Sequence, residues 1–438
     1  MRTDAIAQEV DKDYRMIDLT GFGAARETDH EVRETINENA KFERLAQVAR
    51  AFSPSAPIDR RAFAGREAQI TDIVNACTQR GQHVIIFGER GAGKTSLANA
   101  LVHMLGTRFL TLACGSINCD QTTTFASLWK AIFSEIAVSK TVSPLGFKTG
   151  ANLEGTLAQF LPENVTPDAV RAILQKRERL LIIIDEIDRI KDKTTTTLLA
   201  DTIKSLSDHS ADVTLVLVGV AESVDTLIAE HESVQRALIQ VQMPRMSHAE
   251  LDQIVENGVQ AVRMTIEPTA RQRIIKLSQG LPHYTHLLGM HAAQSAVLAD
   301  RSHITVEDTH EALEKALKHA QQSVGHDYHR ATTSSRETRY PQVLLACALA
   351  DTDQHGYFTA GDVVTPLSVI MQKQCETSSF SQHLNGLCEE RRGPALQRIG
   401  NPRAYKYKFR NAILRPYVIM KALQGGLISE ERMTQLAA

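Results

Sequence analysis

From about Phe63 to Arg245, short apolar runs alternate with segments of helical period. His83–Phe87, Arg108–Leu112, Leu180–Ile184 and Thr214–Val220 are the apolar runs, as expected of strands buried on both faces. Ser96–Leu105, Phe125–Ala137, Thr166–Gln175 and Thr195–Ser207 are the intervening helical segments. Strand and helix in turn predict an α/β fold, a parallel sheet covered on both sides. Past Arg245 the pattern becomes wholly helical. Ser247-His-Ala-Glu250 is a capping box, and Thr305-Val-Glu-Asp308 opens a further helix. Gly325–Glu337 is polar and reads as a linker. Tyr340 to about Leu423 forms a third compact unit: helix, short strand at Tyr357 and Phe358, helix, helix Ser378–Cys388, then a hairpin. Residues 1–50 are polar with mixed charge, with a short amphipathic helix over Phe42–Phe52 that Pro54–Pro57 ends.

Composition narrows the class without changing this outline. The 438 residues suit two or three domains. Forty-nine basic against fifty-one acidic residues exclude a globally basic coat for nucleic acid, though not a local patch. The longest apolar stretches, Leu180–Ile184 and Val213–Ala221, fall far short of the roughly 20 residues that span a bilayer. The first residues carry acids where a signal peptide needs a basic start, so a soluble cytoplasmic protein is expected. Cys77, Cys114, Cys119, Cys347, Cys375 and Cys388 form no CxxC pair, which points to inert thiols rather than zinc. His283, His286 and His291, like His326 and His329, lack a companion ligand at suitable spacing and read as ordinary helix-face histidines.

The candidate chemistry lies at two strand ends. Gly88-Glu-Arg-Gly-Ala-Gly-Lys94-Thr95 follows the first strand, opens a helix and fits GxxxxGK[ST]. Its glycines allow the backbone N–H groups of Gly88, Glu89, Arg90, Gly91, Ala92 and Gly93, with Ser96 beyond, to face phosphates at a helix N-terminus. Lys94 reaches the β- and γ-phosphates and the Thr95 hydroxyl ligates Mg²⁺ in such a loop. The strand Leu180–Ile184 then delivers Asp185 and Glu186. Asp185 suits a metal ligand and Glu186 a residue that polarises the attacking water. ATP and Mg are therefore the expected cofactors, and ATP hydrolysis the expected reaction. Asp188 and Arg189 read more plainly as a helix cap and a surface ion pair.

Phe63-Ala-Gly-Arg-Glu67, the phosphate loop and Asp185-Glu-Ile-Asp188 together resemble AAA+ ATPases, in particular the initiator group of origin-recognition and cell-division-control proteins. The resemblance covers roughly residues 55 to 425. It implies an N-terminal extension (1–52), an AAA+ core (53–246), an all-helical lid (247–324), a linker (325–338), a winged-helix domain (339–425) and a tail (426–438). It places Phe63, Gly65 and Arg66 beside the base, and sensor one at Glu222 or Ser223. It gives Arg236 as the arginine finger supplied to a neighbour in a homo-oligomer, against the plainer reading of a surface ion pair. It puts His283 of Gly280-Leu-Pro-His283 where the group usually has an arginine. That departure implies a weaker, pH-dependent phosphate contact.

The third unit carries eight basic residues from Arg391 to Arg415 with no acid among them. In Tyr405–Phe409 aromatics alternate with lysines, so one face packs while the other presents charge. With Ser379, Gln382 and His383 on the preceding helix, Arg391, Arg392, Arg398, Arg403, Lys406, Lys408 and Arg410 form a candidate surface for double-stranded DNA, chiefly its backbone. Two functions stay open on the sequence. One is a DNA-associated AAA+ ATPase that assembles or switches with nucleotide. The other is a regulatory NTPase, as in a mobile-element or phage-defence module, whose winged helix binds a protein partner or latches the lid.

Overall fold

The computed structural model describes residues 25–53, 65–106, 113–142, 151–177, 180–221, 232–320, 322–333, 339–353, 355–402 and 404–436. The chain divides into two compact units, Met1–Gln47 and Val48–Ala438. In the first, helix α1 (Ala25–Ala51) begins, longer than the Phe42–Phe52 segment expected.

The second unit begins with the α/β layer. Its strands are β1 (His83–Gly88), β2 (Ala113–Asn118), β5 (Leu180–Asp185), β6 (Val213–Val220) and β7 (Leu238–Met243), in spatial order β2-β5-β6-β1-β7 and all parallel. Helices α2 (Glu67–Cys77) and α3 (Lys94–Gly106) cover one face; α4 (Phe125–Glu135), α5 (Pro167–Leu174) and α6 (Lys193–Asp208) cover the other. The pleat explains the split. Ile182 and Ile184 join the core with Trp129 and Phe133, while Leu181 and Ile183 join Leu97 and Leu101. A strand needed by two cores must be apolar at every position, which is why β1 and β5 are legible without alternation.

Two departures from expectation lie in this layer. The run Arg108–Leu112 falls among residues 107–112, outside those described, and the strand in its place is Ala113–Asn118. Its Cys, Gly, Ser and Asn carry little hydrophobic signal. The helix after it stops at Glu135, and a hairpin of β3 (Ala137–Val142) and β4 (Ala151–Thr156) follows.

A short α7 (Glu232–Gln235) precedes β7. Four helices then follow, α8 (His248–Ala261), α9 (Pro268–Ser278), α10 (Pro282–Leu298) and α11 (Val306–His319), where the lid was expected, with a two-residue parallel pair, β8 (Thr265–Ile266) and β9 (His303–Ile304). Both capping boxes form, Ser247 with Glu250 and Thr305 with Asp308.

The stretch read as a linker is helical over much of its length. Helix α12 (Gln322–Thr332) buries Val324 and Ala331 and sets Tyr328 edge-on to Tyr417. Positions 324, 328 and 331 are one helical face, a spacing that the surrounding polar residues obscure. Then come α13 (Tyr340–Leu349), β10 (Phe358–Thr359), α14 (Ala360–Met371), α15 (Ser381–Leu387), β11 (Leu396–Ile399), β12 (Lys406–Phe409), α16 (Leu414–Gln424) and α17 (Glu430–Gln435). β12 is the centre of an antiparallel sheet ordered β10-β12-β11. Among the described residues no helix is long and apolar enough to cross a membrane.

Candidate functional site

The parallel register brings the predicted chemistry to one edge of the sheet. Gly88 lies opposite Val220, and Ile184 opposite Leu217, so the C-terminal ends of β1, β5 and β6 open side by side. At Gly88 the backbone has φ 147°, and a Cβ there would stand 2.5 Å from the Met243 carbonyl oxygen. Only glycine lets the loop turn so close to β7. Gly93, at φ 91°, makes the turn into α3.

Lys94 is buried, and its Nζ donates to the carbonyl oxygens of Gly88 (3.1 Å) and Glu89 (2.8 Å). Burial lowers its pKa to about 8, opposed by the carboxylates of Asp188, Asp185 and Glu89. Asp185 is buried and its pKa is raised, chiefly by burial. Its carboxylate accepts the Thr95 hydroxyl and, at 2.7 Å, the Glu186 N–H. A hydroxyl and a carboxylate already paired are the hard oxygen donors that Mg²⁺ takes beside phosphate and water, so these residues fit that ion.

Glu186 has φ 56° and pairs through Oε2 with Arg189 Nη1 at 2.6 Å, both about half exposed. Asp188 is not the helix cap expected of it. Its Oδ1 accepts the Val220 N–H at 2.8 Å, which ties the carboxylate strand end to β6.

The base end departs from expectation. Phe63 lies outside the described residues. Arg66 is buried, and its guanidinium donates to the carbonyl oxygens of Ala92 (3.2 Å) and Pro244 (2.5 Å). It braces the phosphate loop against the chain leaving β7. Gly65, at φ 70°, packs against Glu250 of α8. A cleft of about 270 Å³ runs from Lys94 and Thr95 to Met246, Ile254 and Pro282, with His283 and His286 along its wall. Burial, then Arg90, lowers the His283 pKa; burial holds His286 near 4. The sequence reading treated His286 as an ordinary helix residue. Its place three residues after His283, on the same helical face, is the signal that could have found it.

Glu222 and Ser223 fall outside the described residues. Arg236 is exposed just beyond α7. Sequence reasoning named Glu89 and Lys408 in separate roles and missed both their pairing and Arg245. Its carboxylate takes Arg245 Nε at 2.8 Å and Lys408 Nζ at 3.6 Å. Arg245 also donates to the Gln279 carbonyl at 3.1 Å, and Tyr284 to that of Ile413 at 2.9 Å. The side chain of Ile413 lies against Gly91. A second cavity of about 750 Å³ lies between Glu89, Glu186, Asp188 and the β12 residues Lys408 and Phe409.

The basic surface is correspondingly altered. Lys406 is exposed but Tyr407, Lys408 and Phe409 are all buried, so the expected alternation fails. The departure is Lys408, on the face it shares with exposed Lys406: its ammonium reaches Glu89 of the phosphate loop and lies over the Tyr357 ring. Acids outside the Arg391–Arg415 span pair with it, the adjacent Glu389 and Glu390 among them. Lys406 pairs with Asp353 (3.1 Å), Arg391 with Glu389 and Arg410 with Glu390 (3.6 Å). Arg398 donates to Asn385 and covers Tyr405; Arg392 caps the Ala331 and Thr333 carbonyls and lies over Tyr340. Ser379 donates to the Glu376 carbonyl, His383 packs on Tyr340, and Gln382 is exposed. Arg403 lies outside the described residues.

A family model described as novel STAND NTPase 1 matches residues 50–356. The chain belongs to this family. The novel STAND NTPase 1 match takes in the phosphate loop, the carboxylate strand and helices α8 to α11. No curated protein matches the chain. Solved structures similar to it include a Walker-type ATPase of Pyrococcus abyssi, 16% identical, with a TM-score of 0.50 over 84% of this chain and 99% of that one. They also include initiator AAA+ proteins. The Cdc6 protein of Pyrobaculum aerophilum is 16% identical with a TM-score of 0.44, over 87% and 99% of the two chains. The Orc1 protein of Aeropyrum pernix, solved in complex with DNA, is 14% identical at 0.44, over 83% and 94%. The fold is that of a P-loop NTPase, a parallel sheet with the phosphate loop at its C-terminal edge.

Proposed function

We propose that this NTPase is an ATP-operated switch whose nucleotide site is held closed by its own C-terminal unit. The observation that carries the proposal is the double ion pair on Glu89. A residue inside the phosphate loop is joined to Arg245 at the lid boundary and to Lys408 of β12. A change at the phosphates therefore has a short route to both.

When bound, Mg²⁺ and the triphosphate supply the electrophilic phosphorus and offset its charge. Thr95 and Asp185 would hold the metal. Lys94 would exchange its two carbonyl contacts for phosphate oxygens, and Glu186 would orient water once free of Arg189. His283 would give the phosphates a weaker contact than an arginine, which suits slow hydrolysis and a long-lived state. Limited proteolysis with ADP and with a non-hydrolysable ATP analogue tests the switch: two distinct patterns are expected, and Lys94→Ala should show neither. Identical patterns in the wild-type protein, with nucleotide shown to bind, would refute it.

A second reading keeps double-stranded DNA as partner. Arg391, Arg398, Lys406 and Arg410 are exposed, and surface pairs of this kind are worth about 0–1 kcal/mol, weak enough for phosphates to displace. Arg236, exposed beyond α7, would complete a neighbour's site in a homo-oligomer. Turnover stimulated by DNA and falling with salt would favour this reading. Turnover indifferent to DNA would turn the search to a protein partner.

A further inference from the structure

Phe52 follows directly on the polar helix α1, yet it has no exposed surface. Its ring lies between two lid helices at the one place where each carries glycine. A Cβ on Gly258 of α8 would collide with the ring, and one on Gly289 of α10 would meet its Cε1 at 2.5 Å. Neither glycine has a positive φ. Backbone freedom therefore does not explain them, and glycine weakens a helix interior relative to alanine. Space for an aromatic ring does explain them.

One turn earlier on each helix stand Ile254 and His286, both in the wall of the nucleotide cleft. Residues three or four apart share a helical face. The two turns that receive Phe52 thus adjoin the two that form the apolar end of the cleft. Phe52 is not itself among the cleft-lining residues.

We infer that Phe52 is a positioning residue for nucleotide affinity, a wedge that sets the separation of α8 and α10 and so the width of the cleft where a base would lie. The inference rests on the nucleotide reading above. Lys94, Thr95, Asp185 and Glu186 are fixed by the sheet edge, so the wedge governs affinity and leaves the chemical step alone.

The test titrates full-length wild type, Phe52→Ala, Phe52→Leu and Gly289→Ala with a fluorescent ADP, at a temperature where each gives a cooperative melt above it. The dissociation constant should rise about tenfold in Phe52→Ala, a typical size for coupling through packed side chains. It should rise less in Phe52→Leu. Gly289→Ala, which keeps the phenylalanine but closes its slot, should behave like Phe52→Ala. Turnover at saturating ATP should stay within about twofold, a KM effect without a kcat effect. Wild-type affinity in folded Phe52→Ala, or affinity and turnover falling together, would overturn the inference. If Phe52→Ala does not fold, wild-type affinity in Phe52→Leu overturns it. Absence of ADP binding by the wild type would overturn the nucleotide reading itself, and with it this inference.

Discussion

Lys408→Gln tests the joint between β12 and the phosphate loop directly. Lys408 Nζ lies 3.6 Å from Glu89 Oε1, and the two side chains are 9% and 18% exposed. With an effective dielectric near 20, the attraction at that distance is about 4–5 kcal/mol. Desolvating both groups offsets most of this, leaving about 1–3 kcal/mol, between an exposed ion pair and a hydrogen bond to a charged group. Glu89 keeps Arg245 at 2.8 Å on its other oxygen, so its carboxylate is not orphaned and the lower part of that range applies. A loss of about 1.4 kcal/mol, confined to the closed state, shifts the closed-to-open ratio about tenfold. Release of a fluorescent ADP, chased with excess ATP, should therefore be about tenfold faster in Lys408→Gln. Lys406→Gln breaks a pair with Asp353 in which the lysine is 51% exposed, and should change release less than about twofold. Added salt should reproduce little of the Lys408 effect, because a buried pair is poorly screened. Unchanged ADP release in folded Lys408→Gln, or equal effects of the two substitutions, would refute the latch.

Three further outcomes are expected. Glu186→Gln should keep nucleotide affinity and lose turnover by about 10²-fold or more, since an amide cannot polarise water; steady-state hydrolysis beside a binding titration checks it, and wild-type turnover would assign the role elsewhere. Arg189→Ala frees Glu186 from a half-exposed pair worth under about 1 kcal/mol, so turnover should rise by no more than about fivefold, and a marked fall would give Arg189 a direct role. Burial holds His83 and His286 near pKa 4, below the ordinary histidine value, so the unfolded chain takes up their protons first. Stability should be full above about pH 6.5 and fall toward pH 4, by up to about 1.4 kcal/mol per pH unit for each group. Denaturant midpoints at pH 7.5 and 5 check this, and equal acid sensitivity in His286→Asn would remove that residue from the account.

The phosphate loop and the carboxylate strand were legible because their chemistry needs particular residues at fixed spacing in one stretch of chain. β1 and β5 were legible because two cores leave no polar position to confuse the pattern. β2 was not, since Cys114, Gly115, Ser116 and Asn118 carry little hydrophobic signal in a strand fixed by parallel pairing to β5. Helix α12 was hidden for a related reason: Val324, Tyr328 and Ala331 are a thin apolar face in a polar segment.

Lys408 shows a deeper limit. Alternation in Tyr405–Phe409 describes a strand with one wet face, and no local property says which strand will be covered twice. What covers Lys408 is Glu89, a residue of the phosphate loop, and that loop is fixed in turn by Met243, Arg66 and Arg245. The same contact changes the meaning of the basic cluster. Eight positive charges with no acid in their own span imply an external polyanion only if no acids pair with them, and here Glu89 and Asp353, brought by the fold, and the adjacent Glu389 and Glu390 do so. Isolated glycines are a better long-range clue. Gly258 and Gly289 interrupt good helices without turning the chain, and a glycine of that kind reports that something large must pass close by. The sequence marks the slot, and only the fold shows that Phe52 fills it.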